Sequence, residues 1–448
     1  MLDLLITNGS IVDGQGIMSG SIGVADSRIV ARYATGQELP PSRATIDARG
    51  LLVLPGVVDP HVHFYGEGIG EYSRLAARGG VTTFIGMIRG APESQLATAV
   101  DEHRHAGLTA AITDFSFHVV LYDREDSIKQ IPALAAQGFR SFKMFMAYKR
   151  RGMMVRDEFL FAAMDAIHRV GGIALIHAEH GELVDYLELA AAASGCTGVE
   201  CYEPTRPPEA EAAAIEVVAL AAQATGCPAY IVHLSSNAGL AAVERARRRG
   251  VPIWTETCPQ YLTMDDGTLR ALGAVAKVAP PLRTEMDRRS LATALRVGTI
   301  NTIGSDHASF SAEAKGSSSN IFAVPFGMSG APTLWPSMFT WALDNAIPLP
   351  VLVRAMSESP ARLFGLSHRK GSLSPGVDAD IILVDPVLRQ IVDMKVISPK
   401  VCPNPAADVP LAGWPLVTIS RGDVIWGDGN VTGAAGRAQL IPQMETER

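Results

Sequence analysis

The 448-residue sequence lacks several features that would assign it to a specialised class of protein. It has no uninterrupted apolar stretch of about 18 residues, so no transmembrane helix is expected. It has no block of basic residues, and its net charge of −7 argues against a nucleic-acid partner. The N-terminus carries the acidic Asp3 and no basic segment, which argues against a secretory signal. We therefore expect a cytoplasmic protein without nucleic-acid or membrane partners.

Cysteine is also scarce. The five cysteines, at positions 196, 201, 227, 258 and 402, form no CxxC pair. Their odd number and their scatter favour reduced thiols over a disulfide framework or a zinc ribbon.

The composition that remains is typical of a large globular protein. Hydrophobic residues make up 47% of the chain and charged residues 19%, enough to bury a sizeable core. The length suits a large α/β barrel of roughly 250–350 residues with an accessory domain.

The two ends of the chain share one pattern, in which short β-like runs alternate with turn signals. Asn8-Gly9 and Asp13-Gly14 near the start are hairpin-type dipeptides. The last eighty or so residues, with "ADIILVDP" and "RGDVIWGDG", have the same character. We predict that residues 1–50 and 366–448 together form one small β-sandwich domain.

The middle of the chain alternates strand-like runs with helical segments rich in Ala, Arg and Glu. The predicted strands are "LLVLPGVVDPHVH", "GVTTFIGMI", "AAITDFSFHVV", "SFKMFMAY", "GIALIHAE", "AYIVHLS", "IWTETCPQYL" and "TINTIGSDHAS". Eight strands alternating with helices predict a (β/α)8 TIM barrel over residues 51–365. A doubly wound open sheet is the alternative, but no GxGxxG follows the first strand.

Polar residues stand at the ends of five of these strands, where a barrel of this kind carries its chemistry. They are His61, His63, Lys143, His177, His233 and Asp306. Imidazoles and a carboxylate suit zinc and similar metal ions. One histidine at a strand end is more often structural, but four with an aspartate would each need a polar partner in a core. Lys143 cannot ligate a metal as an ammonium, so its spacing alone favours a partly buried ion pair.

Several motifs resemble the amidohydrolase superfamily, and within it the branch of dihydropyrimidinases, hydantoinases, allantoinases and dihydroorotases. They are "GVVDPHVHF", "SFKMFMAYK", "LIHAEH", "VHLSS" and "GSDHAS". The similarity covers nearly the whole chain. It implies a hydrolase that opens the amide bond of a cyclic ureide, of hydantoin or dihydropyrimidine type, to an N-carbamoyl amino acid.

The resemblance also implies a cofactor and a role for each strand-end residue. Lys143 would carry a CO2-derived carboxylate that bridges two divalent ions, most simply zinc, although manganese or cobalt would fit the same ligands. One ion would be held by His61, His63 and Asp306, and the other by His177 and His233. A hydroxide bridging the ions would attack the ring carbonyl.

Two further roles follow from the same resemblance. Asp306 would pass a proton to the leaving nitrogen. Tyr148, five residues after Lys143, would point its hydroxyl at the tetrahedral intermediate; without the resemblance, an aromatic residue at the barrel mouth is an equal reading.

The residues around these motifs bear on the substrate. Tyr65 stands where dihydroorotases have a carboxylate-clamping arginine, which argues against dihydroorotate. Ala279, in "APPLR", and Phe326, in "VPFG", replace residues typical of dihydropyrimidinases, whose contacts run through the backbone. An apolar pocket for the side chain of a substituted hydantoin is predicted from Phe64, Tyr65, Met87, Phe326 and the loop at 149–161.

Other readings stay open. An allantoinase or cyclic-imide hydrolase would use the same site, and a mononuclear enzyme would keep Lys143 unmodified. A catalytically inactive dihydropyrimidinase-related scaffold protein is a non-enzymatic alternative. Relatives commonly form tetramers, so a homotetramer or homodimer is expected.

Overall fold

The computed structural model describes residues 1–65, 68–91, 94–391, 404 and 409–445. Its strands are β1 (Leu2–Val12), β2 (Ile17–Ala25), β3 (Arg28–Ala34), β4 (Ser42–Asp47), β5 (Leu52–Pro55), β6 (Val57–His63), β7 (Val81–Ile88), β8 (Asp114–Val120), β9 (Ser141–Phe145), β10 (Ile173–His177), β11 (Ala229–Ile231), β12 (Ile253–Thr257), β13 (Thr302–Ile303), β14 (His307–Ala308), β15 (Ile381–Val384), β16 (Arg389–Gln390), β17 (Leu411–Ala412), β18 (Pro415–Ser420), β19 (Asp423–Gly427) and β20 (Asn430–Val431).

The α-helices lie mostly between the strands of the middle segment. They are α1 (Ile69–Arg78), α2 (Leu96–Ala110), α3 (Glu125–Ala136), α4 (Asp157–Arg169), α5 (Gly181–Ala193), α6 (Pro208–Thr225), α7 (Asn237–Arg248), α8 (Pro259–Thr263), α9 (Asp266–Leu272), α10 (Glu285–Val297), α11 (Ala312–Lys315), α12 (Leu334–Asp344), α13 (Leu349–Val353) and α14 (Ser359–Leu363). No helix of the described stretches is long and apolar enough to cross a membrane.

The middle strands form the predicted barrel. β6 to β12 pair in chain order and in parallel, and the sheet continues to β13 beside β12 and to β14 beside β6. β13 and β14 are two short pieces of the eighth strand, so the ring closes through residues 302–308. A strand that is covered on both faces has a largely apolar sequence without polar alternation. β7 is an example, because all eight of its residues are buried. The (β/α)8 prediction is confirmed.

Both chain ends contribute to a second sheet, in the order β20-β19-β18-β15-β5-β1-β2-β3, with β4 beside β1. β15, from the C-terminal part of the chain, lies between β5 and β18. The small β-sandwich domain is therefore confirmed. Its predicted limits, 1–50 and 366–448, stay a prediction, and the pairing of β5 carries the sheet as far as Pro55.

Two of the predicted strands differ from the structure. The run "LLVLPGVVDPHVH" is two strands, because β5 joins the end sheet and β6 joins the barrel. Gly56 separates them, and a Cβ there would lie 2.1 Å from Oγ1 of Thr82. The run "IWTETCPQYL" ends as a strand at Thr257, because Pro259 begins α8, where a missing amide proton is tolerated.

The cysteine prediction is wrong for one pair. Cys196 and Cys201, in the loop after α5, form a disulfide with their Cα atoms 5.9 Å apart. A five-residue spacing inside one loop brings the two thiols together locally, which the scatter of cysteines along the whole chain concealed. Cys227 and Cys258 are buried, and Cys402 lies outside the described residues.

A buried charge cluster joins the barrel to the end sheet, below the start of β8. Nζ of Lys370 lies 2.6 Å from Asp114, 2.9 Å from Asp378 and 2.9 Å from Asp380. The three carboxylates raise the pKa of Lys370 against the effect of its burial. Three partners around one buried ammonium offset much of its desolvation cost.

Candidate active site

All six strand-end residues meet at the C-terminal mouth of the barrel. They arrive from different elements because each parallel strand ends at the same rim. Five of them, His63, Lys143, His177, His233 and Asp306, line one cavity. The sixth, His61, lies against this group, with its Nε2 3.2 Å from Nε2 of His63.

Two histidines and an aspartate form the tightest part of the cluster. Ligand atoms of His61, His63 and Asp306 all lie within 4.8 Å of one another. Oδ1 of Asp306 is 3.3 Å from Nε2 of His61 and 3.4 Å from Nε2 of His63. Since two imidazole nitrogens and a carboxylate oxygen converge on one point, these residues could hold a divalent cation.

A second group faces them across the cavity. Nδ1 of His177 lies 2.9 Å from Nε2 of His233, and 3.4 Å from the Tyr148 hydroxyl. Lys143 is fully buried, and its Nζ has no hydrogen-bond partner among the described residues. A buried amine without a partner is costly, and this one marks a position where a further group would satisfy it.

Two buried glutamates orient the histidine rings from behind. Oε1 of Glu256 lies 2.6 Å from Nδ1 of His61, and Oε2 of Glu179 lies 2.7 Å from Nε2 of His177. Each carboxylate therefore holds one ring nitrogen and leaves the other facing the cavity, an arrangement that supports metal-ligating histidines. Nη1 of Arg206 lies 2.5 Å from the same oxygen of Glu179.

Burial sets the protonation of the nitrogen donors. It holds the pKa values of His61 and His233 well below the usual range, so both imidazoles are neutral at pH 7. Burial also lowers the pKa of Lys143 to about 7, against the opposing effect of Glu256 and Asp306. A neutral nitrogen keeps the lone pair that binding a metal or attacking an electrophile requires.

Burial acts in the opposite direction on the acidic groups of the site, because it raises their pKa values while nearby positive charges lower them. Burial raises the pKa of Glu179, but Arg206 and His177 outweigh it and lower the pKa to about 2. Burial likewise raises the pKa of Asp306, and the neighbouring histidines bring it below its usual value. Burial raises the pKa of Tyr148 well above 10, so its hydroxyl remains a hydrogen-bond donor.

Three residues of the site have a left-handed backbone. The φ angles are 69° at Tyr148, 41° at His233 and 46° at Asp306. Such a conformation costs free energy in a residue other than glycine and clusters at functional sites. At these positions the left-handed conformation turns the chain two or three residues after a strand ends. The side chain therefore enters the mouth of the barrel instead of following the alternation of the strand.

The comparison with known proteins follows this geometry. Residues 52–425 match the amidohydrolase family.

The chain belongs to the amidohydrolase family.

Within this family, the relatives come from the hydantoinase and dihydropyrimidinase branch. A D-hydantoinase of Rhizobium radiobacter is 33% identical over 98% of this chain and 98% of that protein. A D-phenylhydantoinase of Escherichia coli is 31% identical over 98% of this chain and 97% of that protein. The crystal structure of a dihydropyrimidinase from Brevibacillus agri covers 100% of both chains with a TM-score of 0.94 and 28% identity.

Membership of the amidohydrolase family and its hydantoinase branch implies a binuclear metal centre, and the residues present fit one. Four imidazoles and one carboxylate lie together at the barrel mouth, and all of them except His61 line the cavity. The amine of Lys143 lies among them without a partner in the described part of the chain. The donor types are those that zinc and similar ions prefer.

The residues predicted to bind substrate separate into two groups. Tyr65, Tyr148, Ala279 and Phe326 line the cavity. Phe64 does not, because it follows His63 by one residue and faces the other side of the strand. Its ring packs edge-to-face on Tyr72 and Phe84, so we leave it out of the proposed substrate pocket.

Met87 is likewise outside the cavity lining. It is 3% exposed and belongs to a buried apolar cluster. The loop at 149–161 contributes Arg151 and Met153 to the cavity.

The sequence gives weak signals or none for several side chains of the site. Glu179 and Glu256 are only outside candidates for orienting the ligands, because Glu179 lies two residues after His177 and nothing local connects Glu256 with His61. Arg206 has no local signal at all. Arg89 could have been found, since it follows the apolar run of β7 directly and so obeys the same strand-end rule as His63. Both Arg89 and Arg151 line the cavity.

Proposed function

We propose that this chain hydrolyses a ring amide bond of a cyclic ureide, of hydantoin or dihydropyrimidine type, and releases an N-carbamoyl amino acid. The observation that carries the proposal is the set of four imidazoles, a buried amine and a carboxylate around one cavity, in a chain whose relatives are hydantoinases.

For the metal centre, we infer one ion on His61, His63 and Asp306 and a second on His177 and His233. Zinc is the ion we propose, and manganese or cobalt would accept the same donors. The 3.3–3.4 Å separations within the first group support this division. So does the 2.9 Å separation within the second.

We further propose that Lys143 is carboxylated and bridges the two ions. Its pKa of about 7 leaves much of the amine uncharged at neutral pH. The nitrogen lone pair would form a bond to the carbon of CO2, and the nitrogen would lose a proton. The fully buried amine, which has no hydrogen-bond partner among the described residues, would thereby become an anionic oxygen ligand for the proposed metal ions.

When bound, the metal ions would polarise the ring carbonyl and make a water molecule acidic near pH 7. Asp306 is the proton carrier in the proposed reaction. Its carboxylate is ionised at neutral pH and lies on a left-handed turn at the cavity wall. It would accept the proton of the water and deliver it to the ring nitrogen as the carbon–nitrogen bond breaks.

Tyr148 would stabilise the negative charge that develops on the carbonyl oxygen. Its hydroxyl stays protonated because burial raises its pKa. The 3.4 Å separation between this hydroxyl and Nδ1 of His177 supports a role for this donor near the proposed second metal. A fixed donor in a dry site is worth far more than the same donor in water.

A substrate panel on the zinc-reconstituted protein tests the function. The panel contains dihydrouracil, substituted hydantoins, allantoin, dihydroorotate and a cyclic imide, and ring opening is followed by loss of ureide absorbance and by mass spectrometry. We expect a hydantoin or dihydropyrimidine to be opened most efficiently. A preference for allantoin or for the imide, or no turnover at all with two metals bound per chain, would contradict the proposal.

Metal content and Lys143→Ala separate the remaining readings. We expect about two metal ions per wild-type chain, whereas an inactive scaffold would hold none. The binuclear proposal predicts that Lys143→Ala loses activity and that a short carboxylic acid restores part of it. A mononuclear enzyme would keep one tight metal and much of its rate. A homotetramer or homodimer is also proposed, and light scattering of the purified protein measures it.

A further inference from the structure

Two guanidinium groups stand at the rim of the cavity, above the proposed metal ligands. Arg89 follows the end of β7, and Arg151 ends the short turn at Lys149–Arg151 after β9. Both line the cavity and both are solvent-exposed, whereas Lys143 and His177 at its base are buried. A ring seated with its carbonyl at the base would therefore direct its substituent toward these two arginines.

Neither guanidinium has a carboxylate partner among the described residues. Two neighbouring cations are paired, Lys149 with Glu182 at 2.7 Å and Arg150 with Asp185 at 2.8 Å. Arg206 is paired with Glu179. Glu67 and Glu93, the acidic residues nearest to Tyr65 and Arg89 in the sequence, lie outside the described residues. Two positive charges that line one cavity, with no carboxylate bound to either in the described part of the chain, create a potential that favours an anion.

Aromatic faces hold Arg151 in place without using up its charge. The guanidinium carbon of Arg151 lies 4.3 Å from the ring centre of Phe326. That ring stacks on Tyr148 with centroids 5.1 Å apart and an interplanar angle of 16°. A cation on an aromatic face is ordered while its N–H donors remain available to a ligand.

Arg89 is held in the same way by Tyr65. Its Nη1 donates to the Tyr65 hydroxyl at 2.8 Å, and its guanidinium carbon lies 5.6 Å from the centre of that ring. Tyr65 itself stacks on His63, with centroids 5.3 Å apart. Arg89 and Arg151 both lower the pKa of Tyr65 against the larger effect of its burial, as expected if both charges lie close to the same rim.

We propose that the cavity selects a cyclic ureide whose ring substituent ends in a carboxylate, which Arg89 and Arg151 bind together. This inference rests on the proposed function and adds the class of substrate. It also changes the role of the aromatic residues that the sequence assigned to an apolar pocket. Tyr65 and Phe326 become supports for two cations, and the product becomes an N-carbamoyl derivative of an acidic amino acid.

A matched pair of substrates tests this directly. Hydantoin-5-acetic acid carries the carboxylate, and hydantoin-5-acetamide has nearly the same shape without the charge. We expect kcat/KM of the zinc-reconstituted protein to be at least about tenfold higher for the acid, because a charge-assisted contact exceeds a neutral one by about this factor. Raising the salt concentration should reduce the preference, since both arginines are reached by solvent.

Three variants locate the effect. Arg89→Met and Arg151→Met should each lower the acid-to-amide ratio of kcat/KM by about tenfold, and mainly through KM for the acid. Arg150→Met is the control, because it removes a neighbouring positive charge that is already paired with Asp185. Its ratio should stay within about threefold of the wild type. Thermal unfolding of each variant verifies that the fold is retained.

Calorimetric binding of the two compounds decides the proposal independently of turnover. Tighter binding of the acid by about tenfold, lost in Arg151→Met and kept in Arg150→Met, supports the carboxylate site even if neither ring is opened. Absence of ring opening would then count against the proposed function alone. Equal binding and equal kcat/KM for acid and amide would overturn the carboxylate site and leave the hydrolase proposal standing.

Discussion

Replacing Lys143 by methionine separates the effect of the buried amine on stability from its proposed role in catalysis. The side chain is fully buried, its amine has no hydrogen-bond partner among the described residues, and its pKa falls from a usual 10.5 to about 7 on folding. By linkage, such a group destabilises the folded protein by about 4 kcal/mol at pH 7. Methionine has a similar volume and no charge to desolvate. We therefore expect Lys143→Met to raise the free energy of unfolding of the metal-free protein by about 3–5 kcal/mol at pH 7.

The pH dependence of this gain has a definite sign. Between pH 7 and 10.5 the unfolded wild-type chain binds more protons at Lys143 than the folded chain does, so wild-type stability rises with pH. The advantage of Lys143→Met should therefore fall to about 1–2 kcal/mol at pH 9.5. A packing effect of the methionine would be the same at both values of pH, and the difference between them isolates the ionisation.

Urea unfolding of chelator-treated protein in CO2-depleted buffer, at pH 7 and pH 9.5, measures both quantities. Lys129→Met, at an exposed lysine paired with Glu125, is the control and should change stability by less than about 0.5 kcal/mol. Adding zinc and bicarbonate should stabilise the wild type and restore its activity, whereas Lys143→Met should stay inactive. A metal-free Lys143→Met that is less stable than the wild type at pH 7, or equally favoured at both values of pH, would refute the reasoning.

Three further predictions concern the side chains around the cluster. Burial raises the pKa of Glu256 to about 8. Glu256→Gln keeps the shape behind His61 but cannot ionise when a metal binds that ring, so metal affinity should fall about 10- to 100-fold in competition with a chelator; unchanged affinity would remove Glu256 from the site. Arg206→Met leaves the carboxylate of Glu179 buried without its cation and should lower the free energy of unfolding by about 3–5 kcal/mol in urea. A loss below about 1 kcal/mol would mean that water reaches that carboxylate. Tyr148→Phe should lower kcat about 100-fold or more with little change in KM, and an equal fall in kcat/KM through KM alone would assign the hydroxyl to substrate binding instead.

The proposed metal ligands could be predicted because the rule that places them is local. A strand ends, its last residues face the barrel mouth, and the polar side chain at that point is visible in the sequence. His61, His177 and Asp306 all follow this rule. Arg89 follows it too, and it was overlooked because only residues that ligate metals were sought.

What could not be predicted depends on contacts between distant parts of the chain. Glu256 lies 195 positions from His61, whose ring it orients, and no spacing rule connects them. The charge cluster of Lys370 and the pairing of β5 with β15 are of the same kind. Phe64 was misassigned for a different reason: as the neighbour of a ligand it was expected in the pocket, while the alternation of a strand sends it to the opposite face.

Closure of the barrel through its divided eighth strand has a consequence for folding. β14 pairs with β6, and the Ser305 hydroxyl donates to the carbonyl of His61, 244 positions earlier. Contacts of such separation form slowly, because a long stretch of chain must be ordered first. A barrel with only its first seven strands in place would carry His61 and His63 without Asp306, and so only two of the three residues proposed to hold the first ion. High-affinity uptake of the ion proposed at His61, His63 and Asp306 should therefore be a late event that reports on ring closure, and the metal would stabilise a slowly formed pairing.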